Sequence, residues 1–208
     1  MTQRDFIRFG NSSYRNILFT MCALSMSGCY YVQAARGQLD VMSKREPIDE
    51  LVATDATPGD LARRLELVLE ARQFAVDELH LPDNDSYRSY ADLGRDYVVW
   101  NVFAAPEFSL EPRTWCFPIA GCVAYRGYFS EEAAASKAAK LSDDGLDVGV
   151  GGVPAYSTLG KFDDPVLNTM MRWEDKDLIA TLYHELAHQE RYIKEDSECK
   201  ESFSSAVE

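Results

Sequence analysis

Leu178-Ile179-Ala180-Thr181-Leu182-Tyr183-His184-Glu185-Leu186-Ala187-His188-Gln189 is the stretch from which the rest of the chain is read. His184 and His188 are four residues apart, so on a helix both imidazoles leave the same face one turn apart and converge on one point. Glu185 follows the first histidine at the edge of that face, within reach of a water beside an ion held by the pair. At 100° per residue, Leu178, Ile179, Leu182, Tyr183 and Leu186 fall on the opposite side. The helix is therefore expected to pack by one face and offer its histidines with the other. With only three histidines in 208 residues, the pattern His-Glu-x-x-His arises by chance in roughly one chain in three hundred of this composition. Two of the three histidines sit in it, which favours a metal pair over coincidence.

A catalytic zinc site takes three protein ligands and leaves one position open. The remaining histidine, His80, lies far back beside a turn and is read as ordinary. No further histidine follows, so a carboxylate is the expected third ligand. Lys194-Glu195-Asp196 reads as a turn that caps a second helix from Ser197, and this helix carries Glu198, Glu201 and Glu208. Glu201 and Glu208 are seven residues apart and share a face. Twelve residues lie between His188 and Glu201, nineteen between His188 and Glu208. Spacing leaves the choice open, with one acid on the metal and the other supporting a ligand.

The N-terminus has a different character. Arg4, Arg8 and Arg15 precede an uncharged run from Asn16 to Ser27 dominated by Ile17, Leu18, Phe19, Met21, Ala23, Leu24 and Met26. This is the basic-then-apolar order of a secretory signal, too short for a comfortable membrane span. It ends in Met26-Ser27-Gly28-Cys29, which resembles a bacterial lipobox. Residues 1–28 are thus expected to be removed and Cys29 to carry lipid, with two or more acyl chains giving stable anchoring. Loss of 1–28 takes the formal charge from −13 to about −15. Such an acidic chain has no basic footprint for nucleic acid, which is not expected as a partner. Export also permits a disulfide. Cys116 and Cys122 enclose five residues, including Pro118 and Gly121, a loop that a bridge can close; Cys199 is expected to stay a thiol.

Between these ends, hydrophobic periodicity predicts helix from Tyr30 toward Val52 with an interruption at Pro47, and an amphipathic helix from Leu61 to Leu79. Tyr97–Phe103, Val123–Phe129 and Val148–Tyr156 read as strands, and the Ala-rich Glu131–Leu141 as helix. Gly149–Gly152 lacks the spacing of a phosphate loop and reads as a strand bulge or edge. Helices, then strands, then a final helical pair predict an α+β fold rather than alternating α/β.

The chain resembles the zinc aminopeptidase family of Gram-negative bacterial lipoproteins, which combine a lipobox with an HELAHQ helix. The resemblance also covers Gln33–Leu39, Tyr97–Val102, Trp115–Phe129 and Ala155–Pro165, nearly the whole chain. It implies a mostly helical zincin-like metallopeptidase with a small β-sheet, lying at the periplasmic side of a bacterial membrane, the outer membrane being expected. In the family the second helix reads Asn-Glu-Ser-Phe-Ala. Lys200-Glu201-Ser202-Phe203-Ser204 matches it, which implies Glu201 as third zinc ligand and leaves Glu208 in support. Lys200 in place of Asn sets a cation close to the site. Family members run longer, so residues 29–208 are expected to be the N-terminal part of a single zinc peptidase domain, truncated at its C-terminus.

The expected chemistry is zinc-assisted hydrolysis of a peptide substrate with Glu185 as proton carrier. A segment near Val153–Thr158 is a candidate to pair with an extended peptide. Aminopeptidase, as opposed to endopeptidase, action rests on the resemblance alone. The alternative is a lipoprotein that binds zinc or a partner without catalysis. The lipobox reading is checked directly: Cys29→Ser should block lipid attachment and move the protein out of the membrane fraction. Unchanged membrane association in that variant contradicts it.

Overall fold

A computed structural model describes residues 30–117, 121–158, 160–190 and 197–207, with the side chains of 197–201 excepted. The chain divides between Leu39 and Asp40 into two units. Residues 30–43 are helical (α1), 30–39 falling in the first unit and 40–43 in the second. The stripe expected on this helix is only partly buried. Val41 is enclosed, whereas Val32 and Leu39 are exposed.

The second unit is α+β. Helix α1 stops short of Pro47, and Arg45–Pro47 forms a strand (β1) that the sequence reading missed. Pro47 then caps the short helix α2, Ile48–Val52. This is the place where proline's fixed φ and missing N–H do no harm. Helix α3, Gly59–Asp77, follows and buries Arg64, Leu65, Val68, Ala71, Arg72 and Ala75, a stripe of helical period along one face. Strand β2 (Ser89–Ala91) pairs antiparallel with β1 and parallel with β8 (Val166–Leu167). These strands are two or three residues long, too short to show alternation in sequence.

The second sheet is the one that the β-rich runs predict. Strand β3, Val99–Pro106, lies between β6 (Arg126–Tyr128) and β7 (Leu146–Val153), antiparallel to both. Trp100, Val102 and Ala104 alternate into the interior, where helix α4 (Glu131–Asp143) covers β3 and β7 with Ala134 and Leu141. Ser130 caps α4 by accepting from the Ala133 N–H at 3.2 Å. The glycine-rich run lies in the edge strand β7. At Gly152 a side chain is excluded outright, because a Cβ would stand 2.4 Å from the Tyr97 ring. The Arg172 guanidinium lies over the same ring, 4.8 Å from its centroid. A ribbon of β4 (Trp115–Phe117) and β5 (Gly121–Val123) carries a Cys116–Cys122 disulfide.

After a 3₁₀ turn at Asn168–Met170, helix α5 (Asp175–Glu190) buries Leu178, Leu182, Leu186 and Ala187, and helix α6 (Ser197–Val207) packs beside it. Ile179 and Tyr183 are only half-buried, so the stripe is narrower than expected; Tyr183 lies 6.2 Å, centroid to centroid, from Phe74 of α3. Among the described residues no helix is long and apolar enough to cross a membrane. Residues 1–28, Cys29, the 194–196 turn and Glu208 lie outside the described residues, as do the side chains of Cys199, Lys200 and Glu201.

One buried arginine of α3 fixes the start of α5, and a second shapes the loop that Gln189 joins to its end. Arg64 donates from Nε to Asp175 at 3.0 Å and to the carbonyls of Met171 and Trp173, clamping the start of α5. Arg63 adds a 2.9 Å bond to the same carboxylate, and these guanidinium contacts hold Asp175 below the usual carboxylate range. Arg72, 1% exposed, donates to the carbonyls of Pro82, Asn84 and Ser86 and so shapes the loop that meets the far end of α5. Burial, with Arg88 nearby, lowers the pKa of this guanidinium. Replacing Arg72 by Met strands three carbonyls, and Lys cannot reproduce the planar fork. Each variant should lose about 2–3 kcal/mol of stability by urea denaturation; a change below about 0.5 kcal/mol, the usual range for surface positions, contradicts this role.

Candidate active site

Helix α5 brings His184 and His188 together as its spacing requires. Their Nε2 atoms stand 3.1 Å apart, with ring centroids 4.7 Å apart and planes at 84°. Two ring nitrogens at this distance need either a proton or a cation between them. Zinc bonded to two imidazoles at 2.0–2.1 Å in tetrahedral geometry sets its nitrogens about 3.3–3.4 Å apart. The observed separation is a few tenths of an ångström shorter. The pair therefore fits a zinc ion with a small opening. Both histidines are half-buried, with Leu182 and Leu186 fully enclosed on the other side of the helix.

Helix α6 contributes a group that the sequence reading did not single out. The Ser204 hydroxyl is fully buried and stands 3.1 Å from His188 Nδ1. A histidine that binds metal through one nitrogen needs its other nitrogen held, and a hydroxyl there fixes tautomer and ring orientation. Ser204 comes three residues after Glu201, so the two positions share a face of α6. Among the described residues no group of three His, Cys, Asp or Glu comes together. The only sequence signal for Ser204 is its place at the end of the Glu201–Ser204 string.

The last turn of α5 is tied through Gln189 to one loop and lies beside a second. Its Oε1 accepts from Asn84 Nδ2 at 2.7 Å, and its Nε2 donates to Ser86 Oγ at 3.4 Å. Gly160 lies beside Gln189, a Cβ there making ordinary contact at 3.4 Å from Gln189 Oε1, and its backbone takes φ +72°. This is one of the positions where glycine's freedom is required. Asp164, 3% exposed, anchors the second loop. Its carboxylate accepts from the Thr158 N–H at 2.7 Å and from the hydroxyls of Thr158 and Ser157. Burial pushes this carboxyl up, and the same hydrogen bonds oppose the shift.

Between the two loops lies Tyr87. It is 2% exposed, and its backbone is left-handed at φ +63°, a conformation that costs a bulky residue about 1–3 kcal/mol. Its N–H donates to the Asp164 carbonyl at 2.7 Å. Its phenol is pushed well above the ordinary tyrosine range, by burial first and then by the charges of Glu185 and Asp164, with the Ser157 hydroxyl acting in the opposite sense. Nothing in the sequence around Asp83-Asn84-Asp85-Ser86, which reads as a turn, points to it.

His80, read as ordinary, takes a left-handed turn conformation at φ +56° after α3. It plays no part in the histidine pair.

No curated protein and no solved structure matches the chain. A family model described as "Putative aminopeptidase" matches residues 29–208, and on that match over almost its whole length the chain belongs to that family.

Proposed function

We propose that this protein is a zinc-dependent peptidase that removes N-terminal residues from peptides, anchored through lipid on Cys29 at the periplasmic side of the outer membrane. The observation that carries the catalytic part is the convergence of the His184 and His188 Nε2 atoms at 3.1 Å, with Ser204 holding the second nitrogen of His188. Family membership supports a peptide substrate. His184, His188 and Glu201 would hold the ion, and Glu208 is the candidate to support a ligand.

Zinc held there supplies a Lewis acid, which polarises the scissile carbonyl and makes water a better nucleophile at neutral pH. The remaining work falls to the chain. Glu185 takes a proton from the attacking water onto a carboxylate oxygen and delivers it to the departing amine nitrogen. Ser204 keeps His188 in one orientation, so the metal pair does not reorganise as charge develops. Gln189 holds the Asn84–Ser86 loop against the end of α5 through its amide.

A second reading, zinc binding without turnover, is favoured by Lys200, a cation one residue from Glu201 in the sequence. Three substitutions separate the readings when zinc content and hydrolysis of aminoacyl amides are measured together. Glu201→Gln should strip the metal. Glu208→Gln should weaken affinity about 10–100-fold, the usual effect of losing a supporting group. Glu185→Gln should keep the metal and stop hydrolysis. Full zinc affinity in Glu201→Gln removes that residue as a ligand, and stoichiometric zinc with no turnover in the parent protein favours the non-catalytic reading.

A further inference from the structure

Arg72 is a buried charge without a counter-charge. Its Nε and Nη2 donate to the carbonyls of Pro82, Asn84 and Ser86. Its Nη1 is enclosed and donates to no group among the described residues. No ion pair among the described residues includes Arg72. Buried charges are ordinarily paired, and buried donors ordinarily find an acceptor. A second guanidinium converges on the same place. Arg88 donates from Nε at 3.1 Å to the Asn84 carbonyl oxygen that also accepts from Arg72 Nη2 at 3.0 Å. Two nitrogens bonded to one oxygen stand within roughly twice a hydrogen-bond length of each other. Arg88 gives its Nη2 to Asp83 at 2.7 Å, a carboxylate whose side chain is 64% exposed and so well screened by water. Its Nη1 makes no hydrogen bond among the described residues.

Both arginines line one cavity of about 280 Å³, whose other walls are Asp49 of α2 and Leu69 and Gln73 of α3. That volume is far more than a single water needs to satisfy one donor. Asp49 forms no ion pair with either guanidinium among the described residues. We propose that this cavity is a binding site for the carboxylate of a small organic acid, held between Arg72 and Arg88. A planar guanidinium suits a planar carboxylate through charge-assisted N–H···O bonds. One negative charge balances Arg72, whereas a doubly charged phosphate would meet repulsion from Asp49 and Asp83. The site is separate from the histidine pair and does not rest on the peptidase reading. Asn84 links the two regions, since its carbonyl takes both arginines and its amide donates to Gln189 at 2.7 Å.

The test titrates the full chain with acetate and, separately, with inorganic phosphate, at ionic strength held constant with sodium chloride. The side-chain Nε–H resonance of Arg72 is followed in ¹⁵N spectra, and melting temperature is measured alongside. Acetate should shift that resonance saturably and raise the melting temperature. Arg88→Gln should weaken acetate binding at least about tenfold. Its side chain is 42% exposed, so the variant should fold, unlike a change at Arg72 that also strands carbonyls. No saturable shift with acetate overturns the proposal and leaves water as the occupant of the cavity. An equal response in Arg88→Gln also overturns it, because general screening by salt then accounts for the effect. Tighter binding of phosphate than of acetate overturns the assignment to a carboxylate.

Discussion

The structure around the histidine pair depends on the packing of α5 against α3, held at its start by the buried Arg64 guanidinium and at its end by the loop that Arg72 shapes. Leu178, Leu182 and Leu186 supply the apolar contact, each fully buried, but apolar packing alone lets a helix slide or rotate at modest cost. Arg64 restrains α5 directly at Asp175, and Arg72 does so through the loop that Gln189 grips. They lie eight residues apart on α3, on nearly the same face, and each has its donors met mainly by backbone carbonyls. Displacing α5 would leave charged donors and carbonyls unmatched inside the protein, which is far more costly than losing surface contacts.

From that constraint the remaining geometry follows in order. Fixed rotation of α5 sends its leucines inward and its histidines outward, so His184 and His188 can meet. Helix α6 then lies against the same stretch and puts Ser204 on His188. Gln189, one residue further along, ties the helix to Asn84 and Ser86, the loop that Arg72 already shapes. Arg72 and Gln189 thus grip one loop from two helices, and Tyr87 is the residue held between them. The chain has a formal charge of −13, yet two of its buried charges are cations, placed where they organise carbonyls rather than pair with the acidic surface.

What the sequence revealed and what it hid divide along physical lines. Helices α3 and α5 and the long strands β3 and β7 were legible because each is long enough for its pattern to show, whereas α4 was legible from its alanines and α6 from the turn before Ser197. Strands β1, β2 and β8 were not, being two or three residues held by neighbours distant in the chain. The histidine spacing was legible because a helix converts four residues into one direction. Ser204 and Tyr87 were hidden because their roles come from tertiary contacts, a hydroxyl crossing between helices and a loop residue forced into an unusual conformation by Asp164, Gln189 and Arg72. Family membership over residues 29–208 points to a peptidase.

The central claim is that α5 and α6 together make one zinc site. It is tested most directly by crystals of the zinc-loaded protein, with anomalous differences measured at the zinc absorption edge. The account predicts a single peak about 2.0–2.1 Å from Nε2 of both His184 and His188, with a Glu201 carboxylate oxygen completing the protein ligands and Ser204 still on His188 Nδ1. A peak that omits either histidine, or one completed by Glu208 in place of Glu201, contradicts it.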